Sequence, residues 1–226
     1  MKINLIHLSD LHISDEKSKN PIFQRTEKIV AAFNSIVQET SNCFVVVSGD
    51  ITISGKTEEF SNAIDFFNSL LMNFEKRLPN CDVKFLFTPG NHDCDFNSEN
   101  VTRDQILKEI SPDNVDKYTI SKCTEVQESY FKFLEHFQKD YRINNYNERL
   151  AKFVIFDLEK SRIGFRLINT SFMTKINETQ GSLVFPVEYL IEHDETSSID
   201  YVISVIHHPY NWFEDTNARV LQEKLE

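Results

Sequence analysis

The sequence predicts an α/β fold built on parallel strands, and three observations carry that prediction. Short apolar runs alternate with amphipathic stretches in a βαβαβ rhythm through residue 88, the pattern of parallel strands joined by right-handed crossovers. Phenylalanine occurs 19 times and glycine only 5 times in 226 residues, a composition suited to a packed core and not to disorder. The apolar runs also end in Asp, His and Asn. That places polar chemistry at the C-terminal ends of strands, where open α/β sheets keep their functional crevice.

Taken in order, residues 2–8 alternate weakly and end at Ser9-Asp10, which reads as a first strand. Within 24–39, Ile29, Val30, Phe33, Ile36 and Val37 fall at helical spacing. Cys43–Ser48 is a continuous apolar run, expected to be a strand covered on both faces. Thr57 is placed as the N-cap of the next helix, with Glu58 and Glu59 in its first turn. Phe60, Ala63, Ile64, Phe67, Leu70, Leu71 and Phe74 form its apolar face. Val83–Phe87 is a third strand, ending in Thr88-Pro89-Gly90.

From 95 to 150 the rhythm breaks into a polar stretch with Pro112 and an end rich in asparagine (Asn144, Asn145, Asn147). One good helix stands out there, with Val126, Tyr130, Phe133, Leu134 and Phe137 on a face. The stretch reads as a helical insertion within a single domain spanning 1–226, placed so that it could cap a site. Residues 152–157 and 162–169 then look like two strands with a tight connection at 159–161. A short helix is expected over 187–194, a strand over Tyr201–Ile206 and a helix over 216–226.

The net charge of −11 repels a phosphate backbone unless bound cations reverse the local field. It weighs against duplex DNA and toward small or single-stranded substrates. No apolar run is long enough to cross a bilayer, and the opening strand is too short for a signal-peptide core, so no membrane partner is expected. Cys43, Cys81, Cys94 and Cys123 show no CxxC spacing. They read as free thiols of a reducing, cytoplasmic compartment.

The chemistry is concentrated at four strand ends: Asp10 with His12, Asp50 after Gly49, Asn91-His92-Asp93 after Gly90, and His207. Each is commonplace alone; four in this order point to one site. Carboxylate oxygen, imidazole nitrogen and amide oxygen together suit Mn, Fe or Zn better than Ca or Mg. A carboxylate shared between two ions roughly 3.5–4 Å apart is the usual bridge of two-metal sites. Gly49 and Gly90 let the backbone turn sharply and approach the ligands.

Ile6-His7-Leu8-Ser9-Asp10-Leu11-His12, Ser48-Gly49-Asp50-Ile51-Thr52, Pro89-Gly90-Asn91-His92-Asp93 and Ile206-His207-His208-Pro209 resemble the first four motifs of the calcineurin-like metallophosphoesterases. The resemblance implies a two-sheet β sandwich flanked by helices, in αββα layers, with two divalent transition-metal ions at the strand ends, Mn first among the candidates. It implies that Asp10 and His12 hold one ion, Asn91 and His207 the other, and that Asp50 bridges. His92 would assist the leaving group or stabilise the transition state, with Asp93 orienting it. The implied activity is phosphodiester or nuclease hydrolysis of a nucleotide or single-stranded nucleic acid by a metal-activated hydroxide. The family's fifth motif, Gly-His-x-His, does not occur in the sequence. The expectation is therefore a longer protein with further C-terminal sequence or domains, this portion alone being weakly active or inactive. The alternative is an interaction or regulatory module that kept the fold and lost part of the metal site.

The remaining candidates read more plainly. His7 is expected to pack or hydrogen-bond within the first strand, and His136 and His193 to lie on the surface. His208 is a candidate substrate contact beside His207. Asn169, Thr170 and Ser171 are expected to serve as ordinary loop residues, and Trp212, with Tyr210 and Phe213, as core or partner-interface residues.

Overall fold

The computed structural model describes residues 3–34, 42–138, 141, 143–159, 161–190 and 199–226. Among these, β1 (Asn4–Leu8), β2 (Asn42–Ser48) and β3 (Asp82–Thr88) form a parallel sheet in that order. A second sheet runs β4 (Ile143–Asn147), β5 (Ala151–Leu158), β6 (Ser161–Ile168), β7 (Tyr201–Val205); its pairs are antiparallel except for parallel β6–β7. The helices are α1 (Thr26–Asn34), α2 (Thr57–Arg77), α3 (Val101–Glu109), α4 (Lys117–Cys123), α5 (Glu128–Phe137) and α6 (Asp215–Leu225).

The period of two along a strand sorts the core into layers. On β2, Cys43, Val45 and Val47 join Phe85 and Phe87 of β3 against α1, α2 and α5. Phe44, Val46 and Leu86 point the other way, onto Val154, Ile163, Phe165, Leu167 and Val205 of the second sheet. Phe44 ties the sheets together, with its ring centroid 4.9 Å from both Phe156 and Phe165. On the helical side Phe67 lies 5.0 Å from Phe87 and 5.5 Å from Phe85. The heavy use of phenylalanine thus fills both faces of one central sheet, and the result is a two-sheet sandwich flanked by helices.

Several elements differ from the sequence reading in detail. The N-cap of α2 is Lys56, one residue before Thr57, because Glu59 reaches back to accept from the Lys56 and Ser54 backbone N–H groups at 3.3 and 2.8 Å. A 3₁₀ turn, Pro21–Arg25, precedes α1. Ile36 and Val37 fall outside the described residues, as do His193 and residues 191–194; the described part of 187–194 is a 3₁₀ turn, Val187–Tyr189. The asparagine-rich end of the 95–150 stretch is a strand, β4, at the edge of the second sheet. An edge strand pairs through its backbone and tolerates polar side chains, so periodicity could not announce it.

The 95–150 stretch enters two different cores. Tyr130, Phe133 and Leu134 of α5 join the helical side of the first sheet. Leu107, Ile120 and Cys123 of α3 and α4 cluster with Phe172, Phe185, Phe213 and Leu221. Arg103 joins these pieces while wholly buried. It donates to Cys123 O at 2.9 Å and Thr174 O at 2.6 Å, and pairs with Glu99 at 2.8 Å. Replacing Arg103 by Leu should lower the unfolding free energy by about 3 kcal/mol, since a half-buried carboxylate partner and two carbonyls lose their donor. Urea denaturation beside the exposed-site control Val101→Ala measures this; equal midpoints for the two variants would contradict it.

Candidate metal centre

Three residues of the site hold left-handed backbone although none is glycine: Asp10 (φ 54°), His12 (φ 46°) and Asp50 (φ 52°). Asp and His are among the side chains that tolerate this region best, yet each such residue stores about 1–3 kcal/mol of strain. Parallel hydrogen bonds between the loops after β1 and β2 hold them there. Asp10 N donates to Gly49 O (3.2 Å), His12 N to Asp50 O (3.1 Å) and Ile13 N to Ile51 O (2.9 Å). The strand pairing thus persists past the strand ends, and the kinks turn the side chains of Asp10, His12 and Asp50 into play.

Asp50 sits at the centre and is 4% exposed. Its Oδ1 is 3.4 Å from His207 Nε2 and accepts from the His92 backbone N–H at 2.9 Å, while its Oδ2 is 3.9 Å from His12 Nε2. Asn91 Oδ1 lies 3.1 Å from His207 Nε2. Asp10, Asp50, Asn91, His207 and His208 line one cleft of about 300 Å³. His12, Asp50 and His92 place their donor atoms within 4.8 Å of one another. The rings of His12 and His92 meet edge to face at 4.7 Å.

Backbone carbonyls set the tautomers. His207 Nδ1 lies 2.8 Å from Ser48 O, and His92 Nδ1 lies 2.8 Å from Ile53 O. A carbonyl only accepts, so both Nδ1 atoms carry hydrogen and each neutral ring presents a bare Nε2. The donor set fits a transition metal: carboxylate, imidazole and amide oxygen converge, with their separations close to the roughly 3 Å expected between ligands bonded to one ion at about 2.0–2.2 Å.

Asp93 is fully buried and touches loops, not the His92 ring. Its Oδ2 accepts from Gly90 N (2.9 Å) and Ile51 N (3.2 Å), its Oδ1 from Thr52 N (2.9 Å) and the Thr52 hydroxyl (3.0 Å). Burial pushes this carboxyl up to about 6, against the pull of the Gly90, Thr52 and Ile51 N–H donors and with a smaller push from Asp50. At neutral pH the donors therefore hold a carboxylate, which pins the loop after β2 to the turn after β3.

A family model for calcineurin-like phosphoesterases matches residues 3–226. The chain belongs to that family. No curated protein sequence matches it. Membership makes metal-dependent phosphoester hydrolysis the family activity to which this site's chemistry corresponds.

Other residues of the chain stand where the geometry puts them. His7, on β1, bonds Ser48 Oγ through Nε2 at 2.7 Å. His136 is exposed on α5. His208 is buried, with Nδ1 3.1 Å from Thr170 Oγ1 and Nε2 3.4 Å from Glu178. Asn169 bonds Gln127, and Ser171 bonds Pro89 O. Trp212 lines the cleft with its ring 5.6 Å from His208, while Phe213 is core. Sequence reasoning missed the carbonyls of Ser48 and Ile53, the Thr52 hydroxyl, and the Thr170–Glu178 cradle around His208. Backbone oxygens have no letter in a sequence, and Glu178 lies 30 residues before the histidine it meets, a separation that no motif links.

The two glycines are spacers. A Cβ on Gly90 would overlap the Asp50 carboxylate and amide, and one on Gly49 would strike the His207 ring. Gly90→Ala should destabilise the fold by about 1–3 kcal/mol through overpacking. Denaturation measures it, and an unchanged midpoint would show that the strand ends are looser than these distances imply.

Proposed function

We propose that this chain hydrolyses phosphoesters with two divalent cations, between which Asp50 would be shared. Asp10 and His12 would complete one half of the site, Asn91 and His207 the other. The carrying observation is that one Asp50 oxygen faces His207 while the other faces His12. Mn leads the candidate ions, with Fe and Zn compatible with the same donors. Bound there, the cations would lower the pKa of the attacking water and neutralise charge on the phosphoryl group.

The chain's own residues do the rest. The Ser48 carbonyl keeps His207 Nε2 aimed at Asp50 and Asn91. Ile53 O accepts from His92 Nδ1–H, so the ring would pass a proton to the departing oxygen from Nε2 once it is protonated on both nitrogens. Asp93 acts through the loops it ties, and so positions His92 by way of the Thr52–Ile53 backbone. His208, held between Thr170 and Glu178, forms the wall of the substrate cleft beside His207. The acidic surface favours a nucleotide or a single strand over a duplex as substrate. Four free cysteines, three of them buried, fit a reducing compartment such as the cytoplasm. Among the described residues no helix is long and apolar enough to cross a membrane.

Titration calorimetry with Mn²⁺ should find two ions per chain, and Asp50→Asn should abolish the pair. With bis-p-nitrophenyl phosphate, His92→Ala should cut turnover by about 10²–10⁴-fold, the range for removal of a general acid. No bound ion in excess Mn²⁺ would favour the interaction-module reading. Undiminished turnover in both variants would refute the mechanism.

A further inference from the structure

A second cleft of about 280 Å³ opens on the His92 side of Asn91. Ile53, Phe96 and Ile176 form its apolar walls, and Asn91 lines this cleft as well as the one holding Asp10 and Asp50. Ile53 is 44% exposed and Ile176 68% exposed. Lone exposed apolar residues are ordinary, but two that face one cavity beside a reacting histidine mark a binding surface.

Several polar groups at the rim already have partners within the protein. The Asp95 carboxylate accepts from Asn97 N and Nδ2, both at 3.0 Å. Lys175 Nζ is held on Leu107 O at 3.3 Å, and Ser54 Oγ on Glu59 at 2.9 Å. The walls of the cavity are therefore mainly apolar, with the Lys175 ammonium on the rim. The walls are also fixed in advance: buried Arg103 lies 5.9 Å over the Phe96 ring and bonds Thr174 O, next to Lys175 and Ile176. Preorganised walls lower the ordering cost of binding.

We infer that this cleft seats the leaving group of the substrate, and that the leaving group carries a flat, apolar ring. This rests on the phosphoesterase reading above. His92 can protonate only an oxygen within its reach, so the leaving side of the ester must lie on the His92 face, where this cleft begins. Its volume falls just short of the roughly 300–1,000 Å³ of drug-sized ligand sites, room for one ring system and not for a long chain. A second phosphate or a carboxylate on that side would meet the Asp95 carboxylate, with the Lys175 ammonium as the cation of the described lining. A phosphorylated aryl alcohol or a nucleoside monophosphate has the required chemistry; a sugar phosphate, which brings no flat apolar face, does not.

The test compares affinities of inorganic phosphate, methyl phosphate, phenyl phosphate and uridine 5′-monophosphate for the full chain in excess Mn²⁺, by calorimetry. Phenyl phosphate should bind at least tenfold more tightly than methyl phosphate, about 1.4 kcal/mol. Ile176→Asp should erase that ratio while inorganic phosphate still binds within twofold of its original affinity. Phe96→Ala should do the same; because Ile176 is on the surface, its variant keeps the test decisive if Phe96→Ala misfolds. A uridine 5′-monophosphate gain equal to that of phenyl phosphate supports a nucleoside ester, and a gain for phenyl phosphate alone supports an aryl ester. Equal binding of phenyl and methyl phosphate, or a ratio unmoved by Ile176→Asp, overturns the inference and leaves the metal site standing. Failure of inorganic phosphate itself to bind overturns both readings.

Discussion

Everything at this site depends on keeping three non-glycine residues in left-handed backbone. Asp10, His12 and Asp50 would relax toward ordinary strand or helix conformations if their loops were free. They are not free, because the loop after β1 is hydrogen-bonded to the loop after β2 as a continuation of the sheet. Asp93 then ties the loop after β2 to the turn after β3. Strain of about 1–3 kcal/mol per residue persists only where surrounding structure over-determines it. Here three strand ends supply that restraint from two sides.

The sandwich explains why the restraint holds. β2 is the middle strand of its sheet and is buried along nearly its whole length, so Asp50 emerges from a strand packed on both faces. Phenylalanines on both faces of that strand lock it to the helices and to the second sheet. The second sheet in turn delivers His207 from the end of β7, whose ring closes on Gly49 and Asn91. A shift of β7 relative to β2 would open the distance between His207 and Asp50. Packing between the sheets is thus a positional requirement of the chemistry as well as a source of stability.

Much of this was legible in the sequence, for identifiable reasons. Apolar runs such as Cys43–Ser48 are long enough to declare buried strands, and each ends in a residue type whose chemistry is recognisable. The four motifs therefore announced both the fold class and the residues that the structure gathers around Asp50. The strand β4 was hidden because an edge strand needs no apolar face. The start of α2 was misplaced by one residue because Glu59 caps the helix through backbone N–H groups, which obey geometry and not residue identity. The cleft beside His92 was hidden for a third reason: Ile53, Phe96 and Ile176 come from segments whose apolar residues look unremarkable one at a time.

The tautomers of the two histidines show most clearly what sequence cannot carry. His207 and His92 are both tied by Nδ1 to a main-chain carbonyl, yet their Nε2 atoms face different tasks. His207 Nε2 lies against Asp50 and Asn91, where a lone pair suits a cation. His92 Nε2 belongs to an exposed ring bordering the second cleft, where a proton taken up on that bare nitrogen can pass to an ester oxygen. The same hydrogen bond leaves both Nε2 atoms bare, and their surroundings make one imidazole a candidate ligand and the other a candidate proton carrier. The difference arises from which strand end each ring leaves and from what it finds across the gap.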